Sequence, residues 1–80
     1  MADVLERVLQ RLRSTLPGAE SVGATDRLTG RIDSMAVFEL VGFIEREFQI
    51  KLADDDLVAA NFESAQTLAE LIARRLPARQ

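Results

Sequence analysis

Eighty residues suffice for one small domain, near the lower limit of what a single core stabilises without staples, and the absence of cysteine removes disulfides, thiolate chemistry and cysteine metal sites. Histidine is absent as well, so the chain lacks the residue most used as general base or metal ligand near neutral pH, and catalysis by this chain alone is not expected. The net charge of −3 is unevenly spread: residues 1–30 balance, residues 33–63 carry six net negative charges, and the end of the chain, with Arg74, Arg75 and Arg79, is basic. An acidic centre argues against nucleic acid, whose phosphates want lysine and arginine, and for basic protein surfaces.

Apolar runs are too short to cross a bilayer, and Met1-Ala2-Asp3 has none of the charged and apolar regions of a signal peptide. A soluble, cytoplasmic monomer without a membrane partner is expected. There is no internal repeat or low-complexity tract, and residues 1–80 read as one free-standing domain.

In chain order, Asp3 and Glu6 have the spacing of a capping box and predict a helix start. Val4, Leu5, Val8, Leu9, Leu12 and Leu16 then recur every three or four residues, with Arg7, Arg11 and Arg13 outside the stripe, until Pro17-Gly18 ends the helix. From Pro17 to Asp33 there are three glycines, few apolar residues and no period, so a long loop is expected, anchored by Val22, Leu28 and Ile32. It serves either as a plain crossover or to deliver the chain to a particular place. Asp33 or Ser34 caps a second helix running to Phe48 or Gln49. An extended connector follows over 50–53, with Ile50 and Leu52 inward. Asp54-Asp55-Asp56 suits the start of a short third helix, because anions are favoured at the positive end of the helix dipole. Leu57, Val58 and Ala60 supply its apolar contacts, Asn61 offers a left-handed stop and Phe62 plugs the core. Ser64 caps a last helix with the stripe Ala65, Leu68, Leu71, Ile72 and Leu76, where Arg74 and Arg75 complement the C-terminal dipole. The fold class expected is all-α, a small four-helix bundle of three main helices and one short one, with the long loop between helices 1 and 2.

The second helix is the most informative element. At about 100° per residue, Val37, Leu40, Val41, Ile44 and Phe48 form a core-facing stripe. The other face holds Ser34, Met35, Phe38, Glu39, Gly42, Glu45 and Arg46, so two large apolar residues sit among charges where water should be. An Asp-Ser pair before a helix is by itself most simply a cap. Here the serine is also the exposed start of the central helix, reached by a long loop, with apolar Met35 and Phe38 beside it.

In this respect the chain resembles the phosphopantetheine carrier proteins, the acyl, aminoacyl and peptidyl carriers. The likeness covers nearly the whole chain. It rests on Asp33-Ser34-Met35-Ala36-Val37-Phe38-Glu39-Leu40-Val41, which is similar to the family's Asp-Ser-Leu followed by a helix with a Glu-Leu pair. Glu45-Arg46-Glu47-Phe48 and Asn61-Phe62-Glu63-Ser64 also look like the family's helix end and last junction. Two departures are plain: Met35 replaces leucine, and the glycine usual two or three residues before the serine is displaced to Gly30, leaving Arg31 and Ile32. The form Gly-x-Ile-Asp-Ser is similar to free-standing aminoacyl carriers.

The resemblance implies an acyl-carrier-protein fold and no enzymatic activity. It also implies covalent 4′-phosphopantetheine, attached from coenzyme A to Ser34 next to Asp33 by a phosphopantetheinyl transferase. The arm's thiol would carry an acyl or aminoacyl group as a thioester, loaded by an adenylating ligase or acyltransferase and consumed by a downstream transferase or synthase. Met35, Phe38, Glu39, Gly42, Glu45 and Arg46 are the expected partner-binding residues, with Gly42 allowing close approach. Missing histidine is no objection, because a modified serine needs no base of its own.

Three alternatives stand beside this reading. The loop could fold over Met35 and Phe38 and hide them. The chain could be an unmodified helical interaction module using the acidic face of helix 2. Ser34 could be a hydrolase nucleophile, for which only a carboxylate or Lys51, the single lysine, could serve as base. No metal is expected: Asp54 to Asp56 lack the alternating ligands and turn glycine of a calcium loop and read as capping and solvated residues.

Overall fold

The computed structural model describes residues 2–16, 18–28, 30 and 32–76. The described residues form three α-helices, α1 (Ala2–Thr15), α2 (Ser34–Phe48) and α3 (Ala65–Arg75), with two short 3-10 turns, Asp54–Asp56 and Ala59–Phe62, between α2 and α3. The expected all-α bundle is present, with its short third helix resolved into those two turns.

The backbones of α1 and α3 approach one another most closely, while α2 reaches the core through longer side chains. Val8, Leu12, Ile44, Leu68, Leu71 and Ile72 are essentially inaccessible, one set from each helix. α2 buries Leu40, Ile44 and Phe48, with Ala36, Val37 and Val41 partly covered, and Ser34, Met35, Phe38, Glu39, Arg46 and Glu47 remain exposed. Phe43, outside the expected stripe, packs against the core's edge and receives the Arg11 guanidinium at 4.8 Å from its ring centroid.

The loop from α1 to α2 is closely attached. Val22 and Leu28 are buried and Ile32 is partly so, as expected; Ala19 is a further buried anchor. Two backbone hydrogen bonds tie it to the start of α3: Leu28 N–H donates to the Glu63 carbonyl at 2.8 Å, and Gln66 N–H to the Ala24 carbonyl at 2.9 Å. Arg13 Nε donates to the Val22 carbonyl at 3.0 Å, so this arginine clasps the loop instead of standing in solvent.

Several local expectations are corrected. Asp3 lies inside α1 and pairs with Arg7 at 3.5 Å, so it is not the cap of a capping box. Met1, Pro17, Arg31, Pro77 and Arg79 lie outside the described residues. Asn61 does not stop a helix in the left-handed region; it belongs to the second 3-10 turn and its Nδ2 donates to the Asp56 carbonyl at 2.9 Å. Leu57 and Val58 are not inside but 41% and 47% exposed. The reason is Asp56. Its Oδ2 accepts the N–H of Ala53 at 2.9 Å and closes a single turn, which competes with helix propagation, and the chain leaves helical geometry at Leu57.

Asp56 is also buried, contrary to a solvated role, and receives Arg75 in a fork: Nε to Oδ2 at 2.9 Å and Nη2 to Oδ1 at 2.6 Å. Arg75 therefore ties the end of α3 to the connector rather than only complementing a dipole. The Arg75 hydrogen bonds, followed by the Ala53 N–H, hold the Asp56 carboxyl at about 2, below its ordinary 3.8. A depressed carboxyl stabilises the fold fully above the unfolded value and loses that contribution as pH falls through the folded one. Arg75→Ala is thus expected to lower the melting midpoint by several degrees at pH 7, where it strands a buried carboxylate. Thermal melts from pH 7 downward should show the gap to wild type closing below about pH 4 as Asp56 takes up its proton; a constant gap would assign the loss to packing.

Candidate functional site

The start of α2 is set by Asp33. Its extended backbone (φ −113°, ψ −171°) points Oδ1 at the N–H of Ala36, 2.9 Å away, and its carbonyl accepts the first intrahelical bond from Val37 N–H at 2.9 Å. Asp33, not Ser34, is therefore the cap. Gly30 turns the chain into this approach with φ +85°, a backbone that side-chain-bearing residues rarely adopt.

Ser34 is then the first helical residue, exposed, and its hydroxyl has no hydrogen-bond partner among the described residues. The N–H groups of Ser34 and Met35 are likewise unclaimed, as befits the first turn of a helix. Two open donors at the positive end of a fifteen-residue helix suit an anion, by about 0.3–1 kcal/mol at an exposed position. A phosphodiester on Ser34 Oγ fits this place without displacing any existing bond.

Met35 and Phe38 are 69% and 72% exposed, so the loop does not cover them. Glu39 is exposed as expected. Beside the first turns of α2 lies an apolar hollow of about 280 Å³, lined by Gly30, Ile32, Val37, Leu57, Val58, Ala59 and Phe62. Leu57 and Val58 thus belong to the site's surroundings, which their apolar character in sequence did not distinguish from core.

Two expected partner contacts are placed differently. Glu45 is half-buried, and its Oε2 accepts the N–H of Leu52 at 2.9 Å, joining α2 to the connector. Gly42 is not bare helix awaiting a partner's backbone, since the Arg46 guanidinium lies over it: a Cβ there would meet Nη1 at 3.1 Å. Arg46 itself is exposed.

The arrangement does not support hydrolysis. The Asp33 carboxylate is used as a cap, and Lys51 lies beside the C-terminal half of α2, with Gly42, Arg46 and Gln49, away from Ser34 at the head of the helix. Among the described residues no group of three acidic residues could hold a metal ion, and no helix is long and apolar enough to cross a membrane. An exposed, unactivated hydroxyl on a rigid mount suits a group that another enzyme modifies.

A search of curated proteins finds no match to the chain. The family model for the phosphopantetheine attachment site matches residues 2–74. That span takes in α1, the long loop, α2 with Ser34 at its head, and nearly all of α3, and the chain belongs to this family of non-catalytic carriers, whose domain is the site of covalent 4′-phosphopantetheine attachment.

Proposed function

We propose that Ser34 bears the phosphopantetheine arm and that the chain carries an acyl or aminoacyl group between a loading enzyme and a downstream transferase or synthase. The observation that carries this reading is the unpartnered Ser34 hydroxyl beside two open N–H groups at the head of α2. When bound, the arm supplies a thiol for thioester formation. The chain's own residues do the rest. Asp33 fixes the first turn, the N–H groups of Ser34 and Met35 receive the phosphodiester charge, and Met35 and Phe38 offer apolar contact to the enzymes that must reach it.

Attachment joins Ser34 Oγ to the pantetheine-side phosphorus of coenzyme A, the pyrophosphate P–O bond breaks, adenosine 3′,5′-bisphosphate leaves, and the serine proton passes to the transferase. A short or aminoacyl cargo is favoured over a long acyl chain. The interior is filled by Leu12, Leu28, Ile44, Leu68, Leu71 and Ile72, and the hollow beside α2 opens to the surface, with room for a short group or the arm itself.

Expression with a phosphopantetheinyl transferase tests the reading. Intact mass should rise by one phosphopantetheine, and fragmentation should place it on the peptide containing Ser34. A chain that stays unmodified, or is modified elsewhere, overturns the assignment.

A further inference from the structure

The exposed ridge of α2 carries a cation inside an otherwise acidic segment. Ser34, Phe38, Gly42 and Arg46 follow at four-residue spacing, a ridge that winds by about 40° per step, so each neighbours the next while Arg46 stands about 120° round the helix from Ser34. Long helical side chains lean toward the helix N-terminus, and the Arg46 guanidinium does so far enough that a Cβ on Gly42 would come within 3.1 Å of Nη1. Gly42 is its seat.

Among the described residues no carboxylate lies within ion-pair distance of Arg46 or of Lys51. Glu45, adjacent in sequence, is occupied by the Leu52 N–H. Arg46 and Lys51 border an open groove of about 500 Å³ at the C-terminal half of α2, lined also by Gly42, Gln49 and Ile50. The helix dipole favours a cation near this end, but a cation placed for the dipole alone needs no glycine beneath it.

The seat is close to the modified hydroxyl. Gly42 is eight residues, about 12 Å of helix axis, beyond Ser34, and one turn beyond Phe38. A stable docking patch covers on the order of 800 Å² per partner, roughly 16 Å in radius. An enzyme that covers Ser34, Met35 and Phe38 therefore reaches the Arg46 guanidinium where it leans back over Gly42, one turn from Phe38, and a guanidinium removed from water without a counter-charge is strongly unfavourable.

We propose that Arg46, seated on Gly42, is a specificity-determining contact that receives a carboxylate from the phosphopantetheinyl transferase docking on this ridge and rejects a transferase presenting a basic side chain there. The proposal rests on the reading of Ser34 as the attachment site.

The test is the steady-state rate of arm installation from coenzyme A by the phosphopantetheinyl transferase of the same organism, with the carrier as varied substrate. Arg46→Glu is expected to raise KM about tenfold with kcat within about twofold, and Arg46→Lys to recover part of the loss. Gly42→Leu tests the seat with the charge kept. One methyl at Gly42 would shift Nη1, 3.1 Å away, by only a few tenths of an ångström. A leucine fills the space the guanidinium occupies and should raise KM several-fold, with the melting midpoint as the control for folding. Arg46→Glu with a KM equal to or below that of wild type overturns the contact and leaves Ser34 untouched; a folded Gly42→Leu with unchanged KM overturns the seat. A wild-type chain that takes no arm overturns the Ser34 reading and this proposal with it.

Discussion

Ser34→Ala is expected to abolish the phosphopantetheine mass gain completely, whereas Ser14→Ala and Ser21→Ala retain it at the wild-type rate. The chain has four serines, and their surroundings differ in kind. Ser64 is buried and caps α3, its Oγ accepting from Thr67 N–H at 3.2 Å. Ser14 is exposed near the end of α1, where the dipole is negative, and its hydroxyl donates to the Arg11 carbonyl at 3.1 Å. Ser21 is exposed in a turn of the long loop, with no helix N-terminus to receive a phosphate. Ser34 alone joins an unengaged hydroxyl to open N–H donors on a long helix, with an apolar flank for the attaching enzyme.

The same variant should leave the fold intact. Because Asp33 supplies the cap, Ser34→Ala removes no hydrogen bond and places a good helix former in the first turn, so stability measured by urea unfolding should stay within about 0.5 kcal/mol of wild type. Asp33→Ala is the useful contrast: it keeps the hydroxyl but frees the Ala36 N–H, at a cost of about 1 kcal/mol. A Ser34→Ala chain that still gains the arm would move the site to another residue.

What was legible in sequence follows from the range over which each interaction acts. The α2 boundary was readable because cap, period and turn residues all lie within a few positions of Ser34. Val22 and Leu28 were readable as isolated apolar residues in a polar loop, while Ala19, equally buried, is too small to give a signal. The segment 54–62 was not readable. Whether Leu57 and Val58 face in or out is decided by where the Asp56 carboxylate goes, and that is set by Arg75, nineteen positions away. Glu45 follows the same logic. Its bond to Leu52 exists because Gln49 adopts a left-handed backbone (φ 57°) that turns the chain back beside the helix, and glutamine carries no such signal. Of the expected partner face, Met35, Phe38, Glu39 and Arg46 are open, Glu45 is engaged within the chain, and Gly42 lies under Arg46.

The second large effect is expected from the loop. Leu28→Ala should destabilise the chain by about 2–5 kcal/mol, the range for emptying a fully buried leucine site. Leu28 is 0% exposed, and its backbone N–H is one of the two bonds holding the loop to the start of α3, with Arg27 and Glu63 paired at 3.7 Å beside it. An 80-residue domain has only about 4–12 kcal/mol in total. At roughly 4–8 °C per kcal/mol, the midpoint should fall by about 8–40 °C. Leu28→Met, which nearly conserves volume, should lose less than about 1.5 kcal/mol, and Glu20→Ala, on the exposed side of the same loop, should stay within about 0.5 kcal/mol. A small loss for Leu28→Ala would mean that the loop is not part of the core. Arm installation should follow the folded fraction. Near physiological temperature it should drop with the population of folded chain. In the cold, where the variant is folded, it should return to the wild-type rate, because the turn presenting Ser34 is closed locally by Asp33. A rate that stays low in the folded variant would instead make the loop part of the surface that the transferase reads.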